Sequence, residues 1–142
     1  MKRFLLLSLL GAMLLFSGCA ITSNGAKVVP HHQPSALTHF YVLHSPGDER
    51  RIDKVIAEVL TAKGYRADYG DAPVSGTDVL VTYEDRWFWD MANYMLRLNI
   101  EFRDPATRYP IVAGETIRTS LARKTSEGMA IETLDAMFEK IK

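Results

Sequence analysis

The feature that most constrains the fold is an alternating run of residues from Tyr94 to Arg103. One parity carries Tyr94, Leu96, Leu98, Ile100 and Phe102, and the other carries Met95, Arg97, Asn99, Glu101 and Arg103. Successive side chains of a strand point to opposite faces, so this run predicts a β-strand with one buried and one solvated face. The segment Asp78–Arg86 alternates in the same way, with Val79, Val81 and Tyr83 on one face. The two runs therefore predict neighbouring strands of a half-buried sheet.

Three further segments are rich in β-branched and aromatic residues and predict strands. They are Thr38–His44, Tyr65–Tyr69 and Ile111–Leu121. Simple alternation in the last segment would aim Glu115 into the core, where an unpaired carboxylate is costly. We therefore predict a β-bulge at Gly114 that turns Glu115 outward.

Two segments predict amphipathic helices. Ser45 is placed to cap the first helix and Pro46 to occupy its first position. Its apolar stripe, which ends before Lys63-Gly64, consists of Ile52, Val55, Ile56, Val59 and Leu60. Ser126 opens the second helix, for which we predict an inward face of Ile131, Leu134, Phe138 and Ile141.

Two amphipathic helices and a sheet with one apolar face are buried by placing both helices on that face. The sequence therefore predicts an α+β fold: a two-layer sandwich in the order β-α-β-β-β-α, with two helices on one face of a mixed, mostly antiparallel sheet. The other sheet face, with Arg97, Glu101 and Arg103, is expected to be a solvent surface with cross-strand pairs.

The N-terminus has the pattern of an export signal. Lys2 and Arg3 precede an apolar run, Phe4–Phe16, that ends at Ser17-Gly18. This run is shorter than the about 20 apolar residues that a membrane-spanning helix needs. We expect residues 1–18 to be a cleaved signal peptide.

The segment Leu15-Phe16-Ser17-Gly18-Cys19 resembles the lipobox of bacterial lipoproteins, with Phe16 where the pattern prefers Leu. The resemblance implies a diacylglycerol on Cys19, cleavage before it and a further acyl chain on the new amino group. Ala20 is not the Asp that marks inner-membrane retention in the enteric sorting rule, so the resemblance implies the periplasmic face of the outer membrane. The chain as a whole resembles small Gram-negative outer-membrane lipoproteins of unknown function, and more loosely envelope-assembly lipoproteins.

The composition of the mature chain excludes several classes of protein. Without Lys2 and Arg3, the 17 basic side chains become 15 against 17 acidic ones, and no basic run is present, so a nucleic-acid partner is not expected. The single cysteine is assigned to lipid, which leaves no disulfide and no cofactor besides that covalent lipid. Residues 19–38 contain Asn24-Gly25, Pro30 and Pro34 without periodicity, and they predict a flexible tether before a domain at 39–142.

Candidate catalytic and metal-binding patterns are weak. All four histidines, His31, His32, His39 and His44, precede the first helix. His39 and His44 should point to opposite faces of a strand, so we predict no metal site. No nucleophile motif is present, and the one carboxylate cluster, Glu84, Asp85 and Asp90, contains two neighbours that face apart. We therefore predict no catalytic residues.

Both tryptophans lie in Arg86-Trp87-Phe88-Trp89, at the end of a predicted hairpin. Large rings at such an end either close the core or remain exposed as an anchor for a protein, a glycan or the lipid interface. We predict that at least one ring is exposed and that these four residues are the candidate partner-binding site. The expected function is a membrane-anchored, non-catalytic binding module in cell-envelope assembly or maintenance. The alternatives are a small periplasmic hydrolase acting on peptidoglycan or glycan, and a structural envelope-stress lipoprotein without a ligand.

Overall fold

The computed structural model describes residues 22–30 and 37–142. The predicted signal peptide, Cys19, His31 and His32 lie outside the described residues. No helix in the described part of the chain has the length and apolarity needed to cross a membrane.

The described residues form two helices and a six-stranded sheet, which confirms the predicted α+β fold. The strands are β1 (Thr22–Val28), β2 (His39–Leu43), β3 (Arg66–Gly70), β4 (Val79–Asp90), β5 (Ala92–Arg103) and β6 (Pro110–Arg118). The helices are α1 (Ile52–Ala62) and α2 (Ser126–Lys140), and a 3₁₀ helix, Ser120–Ala122, precedes α2. The order is β-β-α-β-β-β-β-α. The five predicted strand segments correspond to β2 to β6, whereas β1 was not predicted, and the predicted order β-α-β-β-β-α gives one strand fewer between the helices than those segments do.

The strands lie in the order β1-β6-β5-β4-β2-β3. β2 pairs in parallel with β3 and β4, whereas β4–β5, β5–β6 and β6–β1 are antiparallel. The predicted mixed, mostly antiparallel sheet is thus confirmed. Both helices pack on one face, over a core that includes the contacting rings of Phe40, Phe102 and Phe138.

The predicted flexible tether is wrong for residues 22–28, which form β1. This edge strand pairs with β6 along its whole length, from Thr22 opposite Arg118 to Val28 opposite Val112. Its side chains are mostly exposed, and Ala26 packs against the core. Backbone hydrogen bonds to β6 hold the strand, so it needs no apolar alternation, and the sequence carries no periodic signal for it.

α1 begins at Ile52, later than the predicted start at Ser45-Pro46. Residues 45–48 instead form a turn in which the Asp48 N–H donates to the Ser45 carbonyl at 2.9 Å. The predicted stripe is confirmed, since Ile52, Ile56, Val59 and Leu60 are buried and Val55 packs against the core. In α2, Leu134 is buried and Phe138 and Ile141 pack against the core, as predicted, but Ile131 is exposed, and Met129, Ala130 and Met137 add to the inward face. The polar Thr133 completes that inward face, which obscures the helical period.

The predicted bulge at Gly114 is also wrong. β6 pairs regularly there, with Gly114 opposite Ile100 and Glu115 opposite Asn99. The inward parity of β6 is Val112, Gly114 and Thr116, all buried, and Glu115 points outward without any irregularity. Gly114 instead allows close approach of α2, because a Cβ built on it would lie 2.5 Å from Met137 Cγ.

Candidate functional site

The β4–β5 hairpin extends to a tight reversal at Met91. Asp90 pairs with Ala92, and Met91 adopts a left-handed conformation with φ of 58°. From Leu80 to Arg86 the paired residue numbers add to 183, as for Arg86 with Arg97, and an irregularity follows between Arg86 and Trp87. The apolar faces of the two predicted strands match only if paired residue numbers add to an odd value, and this is confirmed. The expected sums were 177 or 179, so the strands pair a few residues further than expected, and Trp89 and Asp90 lie beside the reversal. Because the irregularity shifts the register, Met95 is fully buried where Leu96 was predicted inward.

Trp87 is a structural ring. Its indole Nε1 donates to Asp85 Oδ2 at 2.5 Å, and the ring packs partly buried against the core. The Arg50 guanidinium lies 4.3 Å from the ring centroid, within range of a cation–π interaction. Trp87 thus joins the hairpin to the loop before α1 and is held by contacts within the chain.

The rings beyond Trp87 are exposed, which confirms that at least one ring of the segment faces solvent. Phe88 is 57% exposed and Trp89 is 68% exposed. Phe88 contacts Tyr94 edge to face, with ring centroids 6.2 Å apart, and Arg86 is exposed beside them. Met91, at the reversal, is 91% exposed. Phe88, Trp89 and Met91 are called the hairpin tip below.

A side-chain cluster that the sequence reasoning missed surrounds the start of α1. His44, Asp48 and Asp53 place one ligand atom each within 4.8 Å of one another. His44 Nδ1 lies 3.2 Å from Asp53 Oδ2, although the geometry is not that of a hydrogen bond. No local motif signals this cluster, because β2, the turn and α1 bring it together only in the tertiary fold.

The carboxylates of this cluster already have protein donors. Asp48 Oδ2 accepts from the Ile52 N–H at 2.6 Å and from the Tyr83 hydroxyl at 2.7 Å. Asp53 accepts two hydrogen bonds from the Arg51 guanidinium, each at 3.0 Å. A metal ion would have to displace these donors, so we interpret the cluster as a structural network that fixes the start of α1.

The electrostatics of the network follow from burial and hydrogen bonding. Burial alone would raise the pKa of Asp48, but hydrogen bonds from Tyr83 and from backbone N–H groups lower it overall. Burial also opposes ionisation of Asp53, and the hydrogen bond from Arg51 leads the contributions that keep its pKa below the usual value. Burial, followed by the hydrogen bond to Asp48, raises the pKa of the Tyr83 hydroxyl. Both carboxylates are therefore held in their ionised form.

The two described histidines, His39 and His44, lie beside different carboxylates and do not form one site. His39 is buried, with Nε2 2.7 Å from Asp68 Oδ2 and Nδ1 2.9 Å from the Gly76 carbonyl. The three carboxylates considered for catalysis do not act together either. Asp85 accepts from Trp87, Asp90 accepts from the Ser120 hydroxyl, and Glu84 is exposed.

The open face of the sheet forms a shallow groove of about 850 Å³, floored by β1, β6, β5 and β4. Arg97 Nε lies 3.5 Å from Glu115 Oε2 across the β5–β6 pair, and Arg103 pairs with Glu101 along β5. These pairs match the predicted solvent-facing pattern. Large and strongly exposed apolar side chains lie outside this groove, among them Phe88, Trp89 and Met91 of the hairpin tip.

Comparison with known proteins gives a fold likeness alone. No protein-family model and no curated protein matches this sequence. A single-substitution variant of PelC from Paraburkholderia phytofirmans, solved as a dodecamer, has a TM-score of 0.59 at 11% identity over 82% of this chain and 97% of that chain. PelC from the same organism, a dodecamer in another crystal form, has a TM-score of 0.58 at 12% identity over 82% of this chain and 98% of that chain.

Proposed function

We propose that this protein is a lipid-anchored, non-catalytic binding module on the periplasmic face of the outer membrane, where it assists cell-envelope assembly or maintenance. The observation that carries the proposal is the exposed hairpin tip. Phe88 and Trp89 keep 57% and 68% of their surface exposed, although large aromatic side chains gain most from burial. Rings that stay exposed on an ordered ladder are typical of contact surfaces.

The hairpin presents these rings at little entropic cost. β4 and β5 pair up to Asp90 and Ala92, and Trp87 fixes the base of the tip through Asp85 and Arg50. Since the backbone is already ordered, a partner does not have to order it on binding. The contact surface is therefore formed by Arg86, Phe88 and Trp89. Trp87 holds the hairpin in place through its contacts with Asp85 and Arg50.

The hydrolase alternative finds less support in the side-chain contacts. Acid and base catalysis on a glycosidic bond needs two carboxylates that flank one bond. Asp85 and Asp90 instead accept hydrogen bonds from Trp87 and Ser120. The alternative of a structural lipoprotein without a ligand would leave the exposed rings without a role.

Two measurements in intact cells, fatty-acid labelling and photo-crosslinking, test the proposal. Replacing Cys19→Ser should abolish incorporation of a labelled fatty acid and leave unprocessed precursor, because the thiol is the proposed lipid acceptor. A photo-crosslinking amino acid at position 89 should capture an envelope component. The same probe at Tyr109, which is 66% exposed at the far end of the sheet, should capture much less. Undiminished label in the Cys19→Ser protein, or equal capture at both positions, would contradict the proposal.

A further inference from the structure

The N-terminal end of β1 and the hairpin tip lie at the same end of the sheet. Thr22 pairs with Arg118, the last residue of β6. On the other side of β6, Ile117 pairs with Arg97, and β5 continues from there back to the reversal at Met91. The 3₁₀ helix that follows β6 also touches the hairpin, because the Ser120 hydroxyl donates to Asp90 Oδ2. One end of the domain thus gathers the start of β1, the 3₁₀ helix and the tip.

This end also carries the most exposed large apolar side chains of the described residues. Met91 is 91% exposed, Leu121 of the 3₁₀ helix is 84% exposed, and Trp89 is 68% exposed. Phe88 lies beside them at 57%. We call Phe88, Trp89, Met91 and Leu121 the apolar end. The other similarly exposed ring, Tyr109 at 66%, is at the opposite end, before the start of β6.

The covalent chain places the apolar end close to the proposed anchor. Only Ala20 and Ile21 separate Cys19 from Thr22. Three residue steps span at most roughly 11 Å, even when fully extended. Because β1 begins at Thr22, the lipid on Cys19 would hold this end of the sheet within that distance of the membrane surface.

We propose that the apolar end docks into the headgroup region of the bilayer that holds the lipid of Cys19. The inference rests on the proposed lipid anchor, and it names the bilayer as the partner of the hairpin tip. Tryptophan favours this interface, where its ring leaves water and its N–H group stays hydrated. Phenylalanine and leucine side chains also insert at the boundary between headgroups and acyl chains. Since the anchor confines the domain, even a weak contact of four side chains is enough to orient it.

The charges around the apolar end suit a phospholipid surface. Arg86 is exposed beside the tip and Arg123 follows the 3₁₀ helix, and neither pairs with an acidic residue of the described chain. The Arg123 guanidinium lies 5.3 Å from the Tyr94 ring and donates to Ser120, which holds it next to the hairpin. Asp90 is the acidic residue next to the hairpin tip, and its carboxylate accepts a hydrogen bond from the Ser120 hydroxyl. Two arginines thus remain for anionic headgroups.

The test uses the lipidated protein in vesicles of phosphatidylethanolamine and phosphatidylglycerol. The chain has two tryptophans, so Trp87→Phe leaves Trp89 as the only one. Its emission should shift to shorter wavelength on reconstitution. Phospholipids brominated near the carbonyl end of the acyl chain should quench it strongly, and those brominated near the chain terminus should quench it less.

A matched control carries Trp87→Phe, Trp89→Phe and Tyr109→Trp, which moves a ring of similar exposure to the opposite end of the sheet. Its emission should not respond to brominated lipid.

If Trp89 is unquenched while the lipidated protein stays vesicle-bound, docking is overturned and the anchored function stands. Capture of a protein at position 89 together with unquenched Trp89 assigns the tip to that protein and also overturns docking. If mass spectrometry finds no lipid on Cys19, both the lipid-anchored function and the docking of the apolar end are contradicted.

Discussion

Asp48 organises the chain between β2 and α1. It is 7% exposed, and it accepts hydrogen bonds from the N–H groups of Arg50 and Ile52 and from the Tyr83 hydroxyl. Arg51, next to α1, takes a left-handed conformation with φ of 57°, which Gly and Asn adopt more readily than Arg. The Asp48 carboxylate and the ion pair between Arg51 and Asp53 hold the backbone in this turn.

Replacing Asp48→Ala should therefore lower the free energy of unfolding. The change leaves the Tyr83 hydroxyl and two backbone N–H groups without their acceptor, at a cost of about 1 to 3 kcal/mol. The adjacent Glu49 is exposed, so Glu49→Ala should change stability by no more than about 0.5 kcal/mol. Urea denaturation of both variants measures the difference, and equal stabilities would contradict the network.

The same network gives a sign for the pH dependence. The pKa of Asp48 is lowered in the folded protein, so its contribution is present above the ordinary aspartate pKa of 3.8. That contribution is lost as the pH falls through the folded pKa. The Asp48→Ala protein should consequently lose less stability than the parent between neutral pH and about pH 3. An unchanged pH profile would show that Asp48 is not coupled to folding.

The contact between β6 and α2 depends on the absence of a side chain at Gly114. A Cβ there would meet Met137 Cγ at 2.5 Å and Thr133 Cγ2 at 3.0 Å. Replacing Gly114→Ala should destabilise the fold by about 1 to 3 kcal/mol, as overpacking does elsewhere. Gly25 on β1 has no atom within 4 Å of such a Cβ, so Gly25→Ala is the matched control and should not show this loss. Denaturant unfolding compares the two, and combining Gly114→Ala with Met137→Ala should cost less than the separate losses together.

The elements that were predictable are those whose pattern reflects burial. Alternation in β4 and β5 and the stripe of α1 identified the α+β sandwich, because these segments bury one face against the core. β1 escaped prediction, since its side chains are mostly exposed and its hydrogen-bonding partner, β6, lies more than eighty residues away. The capping pattern at Ser45-Pro46 predicted a helix start that is wrong, because residues 45–48 form a turn closed by the Ser45 backbone carbonyl and α1 begins only at Ile52.

The candidate site was likewise predictable only where a local sequence pattern indicates it. Two tryptophans beside Phe88 at a strand end predicted an exposed ring, and Phe88 and Trp89 are exposed. The structural role of Trp87 was not predictable, because its ring contacts the guanidinium of Arg50, a residue far away in the sequence. The network of Asp48, Asp53 and Tyr83 likewise joins three separate elements. Pairings of this kind leave no trace in local periodicity, so the sequence does not predict them.

At the scale of the whole molecule, the position of β1 decides how closely the proposed lipid anchor on Cys19 would hold the domain. A tether of about twenty residues would let the domain rotate and reach freely, as a flexible linker does. β1 removes most of that freedom because it pairs with β6 from Thr22 onward. Under the proposed anchor, the domain is a short-range module whose orientation is fixed by the apolar end.

Lengthening the connection between Cys19 and Thr22 should release the domain. Ten Gly and Ser residues inserted after Ala20 give a flexible spacer with a root-mean-square length of roughly 17 Å. The local concentration of the tip at the bilayer falls with spacer length, so quenching of Trp89 by brominated lipid should decrease while vesicle binding through the lipid persists. The same insertion between β1 and β2, at residues 29–37, is the control: it leaves the anchor and the hairpin tip at the same end, and quenching should be unchanged. Full quenching with the long spacer would show that the tip binds the bilayer by its own affinity, independently of how closely the lipid holds β1.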